Sequence, residues 1–597
     1  MLKRKDYSWT CFLPKGYAVD TKALYQAWLE GVKLYIITNC DDIYKKLQNK
    51  FAKNHFHVEI YFVKVKLKHA IYKNGDLQGS SRKVLKNVDK KTSFNLPQYL
   101  LEHAKPEKDI MVMAGAGTGK TTSMIRRISY LIHTHQLNAA TLPKEIYMIT
   151  FTKAAAAHMK EKLEQYFERY HALTGDEGAL KLQNAINKMF IGTIHSLALK
   201  ILNYKRDFKI RIVCTKEAKD EELRIVLKWG GEGDEHVPIF LEMMEQLYDK
   251  GIDPDDRELD WGYCKEDRDF HKVMKRALRD GSENAKAVLD GYNEASLKDL
   301  MIKMKSNTNC LHADFNISPS YIFVDEFQDT DDTQIDIIKG LQDRLGFNLF
   351  AVGDAKQCIY RFRGANSKAF DTLRQGRWRS FLKFHLNKNY RSDAGLLREM
   401  DAHFARWGAL KLLDYKRKDR LVGVKTLDRQ CGIESFGGDL IELIEKSHGE
   451  TAILTRSNWQ AEEVKELIKS STCNPSATQV MTIHKAKGLE FDTVILPYLN
   501  HSLKSHSRKG DVDVVVVGNR IGYMVKTKDG KTIMNNYYEV FKEIEDEEKL
   551  LEEIRILYVA MTRAKRRVIW MDDGEKGGIK NEPKTWRDLF GGANISK

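Results

Sequence analysis

The stretch that most limits how this chain can fold begins at Ile110. Residues 110–113 read IMVM, a short apolar run suited to a buried strand. AGAGTGKTT follows at once, and then SMIRRISYLI with helical apolar spacing. Strand, glycine-rich loop and helix in this order are the setting of a phosphate-binding loop inside a parallel α/β sheet. Gly115, Gly117 and Gly119 let the backbone curl so that its N–H groups face phosphate oxygens. Ala114, Ala116, Thr118 and Thr122 complete the expected cradle, and Ala114 stands where such loops usually begin with glycine. Lys120 is placed to reach the β- and γ-phosphates of ATP, and Thr121 to offer its hydroxyl to Mg²⁺. The helix N-terminus adds its dipole.

A second motif narrows the chemistry. Residues 321–330 read YIFVDEFQDT, an apolar strand with Asp325 and Glu326 at its C-terminal end. Asp325 is the candidate Mg²⁺ ligand, and Glu326 the candidate general base for the attacking water.

Composition sets the outer limits. At 597 residues the chain has room for roughly four domains of about 150 residues. Hydrophobic residues make up 42% and charged residues 30%, ordinary for a globular protein with several cores. No apolar run approaches the roughly 18 residues of a membrane span. The start, MLKRKDYSWTCF, lacks the apolar core of a secretory signal. The eight cysteines form no CxxC pair, so neither a zinc site nor a disulfide framework is expected, and a cytoplasmic, nucleoid-associated protein is. The net charge of +15 favours a polyanionic partner such as nucleic acid.

Further motifs stand in a fixed order. They are FNLPQ with Asn95 and Gln98, TFTKAAAAHM from Thr150, GTIHS from Gly192, GDAKQCIYRFRGA from Gly353 and NYRS from Asn389. AILTRSN from Ala452, MTIHKAKGLEFD from Met481 and YVAMTRAK from Tyr558 follow. From about residue 93 to about 570 the chain resembles the UvrD/Rep-like superfamily 1 (SF1A) DNA helicases. The resemblance implies two RecA-like motor domains with parallel sheets, ATP and Mg²⁺ as fuel, and single-stranded DNA and ss/ds junctions as partners. It implies that Gln98 reads adenine, Tyr390 stacks on it, Glu490 approaches the ribose and Gln357 senses the γ-phosphate. Arg391 and Arg563 are the candidates for neutralising charge on the γ-phosphate, in the role of arginines worth roughly 10³–10⁵ in rate. Both lie far from Lys120 in sequence, which suggests a cleft that closes on ATP.

DNA contacts follow from the same motifs. Phe151, Tyr360 and Phe362 are candidate base-stacking groups, each worth roughly 1–3 kcal/mol, and Arg363 can add a cation–π or phosphate contact. Thr193, His195, Thr482 and His484 resemble backbone contacts. IYRF alternates like a strand, so Tyr360 and Phe362 would share one face, which leaves a core-filling role open for them. The ending QCIYRFRGA is closer to the 3′→5′ branch of the superfamily than to the 5′→3′ branch.

The remaining segments depart from the family pattern. Residues 1–90 read as an accessory α/β module of unknown role, and 205–315 as a mostly helical insertion near the duplex. The first motor domain then takes 91–204 and 316–384, and the second 385–597. Asn458 and Thr482 are only about 24 positions apart, too close for the large subdomain inserted there in UvrD and Rep. Between Phe491 and Tyr558 the chain is longer than in UvrD and closer to the RecB/AddA helicase subunits. That stretch holds two candidate strands, a hairpin turn at Asp529-Gly530 and a charged helix. About 30 residues follow the last motif, too few for a nuclease fold, so any nuclease would be a separate chain. The expected function is an ATP-dependent 3′→5′ DNA helicase or translocase acting in repair, recombination or replication. A translocase that strips proteins from DNA or serves a separate nuclease, and a non-motor ATP-dependent switch that recruits one, remain open beside it.

Overall fold

The computed structural model describes residues 6–51, 57–134, 137–204, 209–308, 319–375, 380–426, 431–447, 449–470, 478–500, 502–503, 510–571 and 584–590. Its centre is a six-stranded parallel sheet in the order Phe381–Leu386, Asp109–Ala114, Asn348–Gly353, Tyr321–Val324, Ile146–Ile149, Phe190–Gly192. Such a sheet is buried on both faces, which is why IMVM and YIFV read as continuous apolar runs and do not alternate. The glycine loop and Asp325-Glu326 leave the C-terminal ends of two of these strands, where open α/β sheets bind ligands.

A second parallel sheet follows, in the order Gly432–Phe436, Ala564–Met571, Phe491–Leu496, Thr451–Thr455, Thr478–Thr482. Thr451–Thr455 and Thr478–Thr482 are adjacent parallel strands joined through the helix Asn458–Ser470 and residues 471–477, which lie outside the described ones. That crossover is short, and the described residues hold no added subdomain there.

The first 73 residues contain a separate four-stranded sheet. Val58–Phe62, Lys33–Thr38 and Ser8–Leu13 run parallel, and Ala70–Lys73 closes the edge antiparallel. Strand periodicity divides its two faces. Cys11, Leu34 and Ile36 pack on the helices Thr21–Leu29 and Asp41–Phe51. Phe12, Tyr35, Ile37 and Tyr61 turn the other way, onto Leu85, Phe94, Leu96 and Tyr99. The module therefore seats its inner face on the entry to the first lobe.

The stretch between the first lobe's strands is mainly helical: Lys216–Trp229, Val237–Asp249, Arg268–Gly291 and Leu297–Asn307. It does not stand alone. Its Phe240, Met244, Trp261 and Met274 share one core with Val514, Tyr523 and Val525, which belong to a three-stranded antiparallel sheet inserted in the second lobe. Gln246 bonds both the carbonyl of Val512 and the N–H of Val514, and Asn535 donates to the carbonyl of Trp261 at 2.9 Å. The Asp529-Gly530 turn lies between that sheet's strands Arg520–Lys526 and Thr532–Met534, with Gly530 at φ +83°. The charged helix runs from Tyr538 to Met561. Among the described residues no helix is long and apolar enough to cross a membrane.

Candidate active site

The glycine loop leaves its strand at Ala114 and enters the helix Lys120–Thr134. Gly117 and Gly119 take φ of +67° and +81°. A Cβ on Gly117 would lie 2.8 Å from Cβ of Arg391, so the second lobe approaches this loop at van der Waals distance. Hydrogen bonds to the loop's carbonyls fasten that approach. Tyr390 N donates to Gly117 O at 2.9 Å, and Asn389 Nδ2 to Ala116 O at 2.8 Å. Thr118 Oγ1 donates to Gly115 O, closing the loop on itself.

Opposite the loop stand the two carboxylates. Glu326 takes a left-handed backbone at φ +48°, a conformation costly for a side chain with a Cβ and found at functional positions. Lys120 Nζ lies 3.0 and 2.9 Å from its two oxygens, and Gln328 donates to it at 2.6 Å. Burial pushes the Glu326 carboxyl up, but Lys120, Lys487 and Gln328 outweigh it and hold it below the usual range. Burial and the neighbouring Glu326 charge push Asp325 the other way. Lys120 thus compensates Glu326 more fully than it does Asp325.

The second lobe brings both arginines. Arg391 Nε pairs with Glu490 at 2.8 Å, and its Nη1 donates to Thr562 O. Arg563 is 1% exposed and donates to Val559 O and to Thr562 Oγ1. Burial and the Arg391 guanidinium lower Arg563 to about 9, against the attraction of Glu326 and Asp354. Gln357 spends its side-chain amide on Asp354 at 3.0 Å, and Tyr558 donates to the same carboxylate.

Gln98 sits in the helix Leu96–Glu102, which Asn95 caps, and donates to Ser123 Oγ at 2.9 Å. Tyr390 reaches the same rim, its hydroxyl donating to Ser93 O. Gln98, Tyr390 and Thr122 line one cavity of about 360 Å³. Glu490 is not part of that wall; it stands with Arg391 and Lys565.

The aromatic candidates come together. Phe151 and Tyr360 stack at 5.0 Å with 24° between planes, and His484 lies 5.8 Å from Tyr360 and 5.5 Å from Phe362. The Arg363 guanidinium is 5.4 Å from both the Tyr360 and Phe362 rings. Phe362 remains 61% exposed. The strand expected from IYRF is not formed: Arg361–Arg363 is a 3-10 turn. The cause is long-range. Helix Tyr538–Met561 captures Arg361, with Glu552 accepting from its N–H and Glu545 from its guanidinium. Tyr360 and Phe362 consequently do not share a buried face.

Thr193 and Thr482 hold the N-caps of their helices, accepting from Ser196 N and Lys485 N. Phe151, Thr193, His195, Phe362 and Arg363 line one cavity of about 450 Å³, whose wall also includes Asp325 and Glu326. Sequence reasoning passed over Lys487, which reaches Asp329 at 2.6 Å and Gln357 O at 2.7 Å and so ties the second lobe to both carboxylate-bearing loops. The second lysine of HKAKGLE gave no sign of its distant partner.

The residues fit a nucleoside triphosphate with Mg²⁺. Gly117 and Gly119 take the left-handed backbone that such a loop needs, a helix N-terminus and Lys120 supply positive charge, and Thr121 and Asp325 would offer oxygen donors of the kind Mg²⁺ takes. A glycine loop and carboxylate pair on one parallel sheet, faced by arginines from a second, define a P-loop nucleoside triphosphatase with a site shared between two lobes. The family models agree: residues 97–376 match the UvrD/REP helicase N-terminal domain and 465–571 the UvrD-like helicase C-terminal domain, together more than half of the chain. The chain is 27% identical over 481 residues to a probable DNA helicase of Mycoplasma pneumoniae, covering 76% of this chain and 79% of that protein. It is 30% identical over 301 residues to a probable DNA helicase II homolog of the same organism, covering 48% and 38%. It is 24% identical over 393 residues to ATP-dependent DNA helicase PcrA of Staphylococcus epidermidis, covering 61% and 48%. The chain thus spans less than half the length of the latter two. It belongs to the UvrD/Rep-like superfamily 1 helicases, ATP-dependent DNA helicases built on two RecA-like motor domains.

Proposed function

We propose that the chain hydrolyses Mg-ATP between its lobes to move 3′→5′ along single-stranded DNA, and opens duplex at ss/ds junctions of the nucleoid. One observation carries this reading: the cavity lined by Phe151, Phe362 and Arg363 is also walled by Asp325 and Glu326. A strand lying on the aromatic groups would sit against the carboxylates that serve the phosphates.

The chain's own groups divide the work. Lys120 exchanges Glu326 for the β- and γ-phosphates, and Glu326, freed, accepts a proton from the attacking water. Thr121 and Asp325 would hold Mg²⁺, which would supply charge neutralisation on the phosphate oxygens. Arg391 and Arg563 bring positive charge from the second lobe, so the complete site exists only with the lobes together. The 3′→5′ direction is supported by the resemblance of QCIYRFRGA to that branch.

The test is ATPase activity of the purified chain with and without single-stranded DNA, then strand separation on forks with a 3′ or a 5′ tail. Hydrolysis that DNA does not raise, or opening that needs a 5′ tail, would refute the reading. A second reading is a translocase that serves a separate nuclease or strips bound protein. The short connection Asn458–Thr482 favours it, because a separate duplex-gripping subdomain has no place there. DNA-stimulated ATPase without opening of either fork would support it.

A further inference from the structure

The cavity of about 360 Å³ beside the glycine loop has an outer wall that the motor lobes do not supply. That wall is the strand Val58–Phe62 of the N-terminal module, with Glu59 and Tyr61, and Gln48 of the helix Asp41–Phe51. Opposite are Gln98 and Arg126 of the first lobe and Tyr390 of the second.

The module is wired into this wall. Glu59 binds Arg126 Nη2 at 2.9 Å and lies 3.5 Å from Lys33 Nζ, and Tyr61 donates its hydroxyl to the same carboxylate. Lys33 continues to Glu102 at 3.2 Å, at the end of the short helix that carries Gln98. The Glu102 side chain is fully buried, whereas Glu59 and Arg126 keep 24% and 27% of theirs exposed. Two acids and two bases balance, so Arg126 is held in place and its charge is spoken for. Arg126 lies on the same helix as Lys120, about two turns further on.

We propose that the N-terminal module is a working part of the nucleotide site: its strand Val58–Phe62 closes the nucleobase end, and Glu59 is the positioning residue that fixes Arg126 against a bound purine. A planar guanidinium packs on a ring face, and one pinned by a carboxylate loses less freedom in doing so. The ligand class is a purine nucleoside triphosphate. The proposal rests on the nucleotide reading of the glycine loop given above.

The experiment uses the full chain and compares ATP with inorganic tripolyphosphate, which fills the phosphate cradle but carries no base. Glu59→Gln is expected to raise KM for ATP about tenfold, the size of one lost charge-assisted hydrogen bond, with kcat unchanged. Its Ki for tripolyphosphate should stay at the wild-type value. Gln48→Ala removes a wall amide without touching the ion network, and should shift KM for ATP in the same sense by a smaller factor. ATP and tripolyphosphate affinities that fall together, or a KM that neither variant moves, would overturn the proposal. Lys120→Ala is the control: if it keeps wild-type tripolyphosphate affinity, the nucleotide reading itself has failed and the proposal falls with it.

Discussion

Lys120 Nζ and Glu326 Oε2 lie 2.9 Å apart, so the loop lysine and the candidate general base neutralise each other. A triphosphate must break this pair to take the lysine. Lys120→Ala should therefore abolish turnover and weaken ATP binding. Glu326→Gln should also stop turnover, yet bind ATP more tightly than wild type, because no ion pair has to be broken first. Equilibrium titration with a fluorescent ATP analogue reads both affinities. A Glu326→Gln variant that binds ATP more weakly than wild type would count against the exchange.

Arg391 and Arg563 meet at Thr562, one on its carbonyl and one on its hydroxyl. Removing Arg563 should cut kcat by about 10³ or more, with ATP affinity little changed, if it acts on charge that develops only during the reaction. Glu490→Ala releases Arg391 from its salt bridge and should alter KM more than kcat. Steady-state kinetics with saturating single-stranded DNA separates the two patterns.

Phe362 is the exposed ring of the aromatic group, whereas Tyr360 is stacked on Phe151 and donates to the carbonyl of His484. Phe362→Ala should weaken single-stranded DNA binding by about 1–3 kcal/mol and leave both DNA-free ATPase and melting temperature unchanged. Tyr360→Ala should lower the melting temperature as well, since it also removes contacts within the protein.

The seat of the N-terminal module predicts acid sensitivity. His133 is buried and His103 half-buried, and desolvation lowers both to about 4. Ser8 contacts the His103 ring at 2.7 Å, and Tyr7 packs between the two imidazoles. In the unfolded chain these rings titrate near 6.5. Their folded values are depressed, so their contribution to stability is present above about 6.5 and is lost as pH falls toward about 4, at about 1.4 kcal/mol per unit of depression for each ring. Thermal melts across that window should fall steeply, and less so for His103→Gln.

The parts legible in the sequence were those whose neighbours in space are neighbours in the chain. The glycine spacing from Gly115 to Gly119 and the apolar run before Asp325 dictate their own local structure. Alternation in IYRF misled, because its geometry is set by Glu545 and Glu552, more than 180 residues away. Thr193 and Thr482, expected as DNA contacts, also cap their helices, a role that a threonine before an apolar run equally marks and that does not decide the DNA contact. Glu59 could not be singled out at all. Its meaning comes from Arg126, Lys33 and Tyr61, and only Tyr61 is close in sequence.

The core that Trp261 and Met274 share with Val514 and Tyr523 joins the lobes a second time, away from the covalent link beside Leu386. Ion pairs across the cleft, such as Lys487 with Asp329, must break before the lobes can part there, whereas an apolar core keeps its contacts while its side chains slide. Closure on the phosphates is then expected to leave this core intact, as the bearing on which the lobes turn.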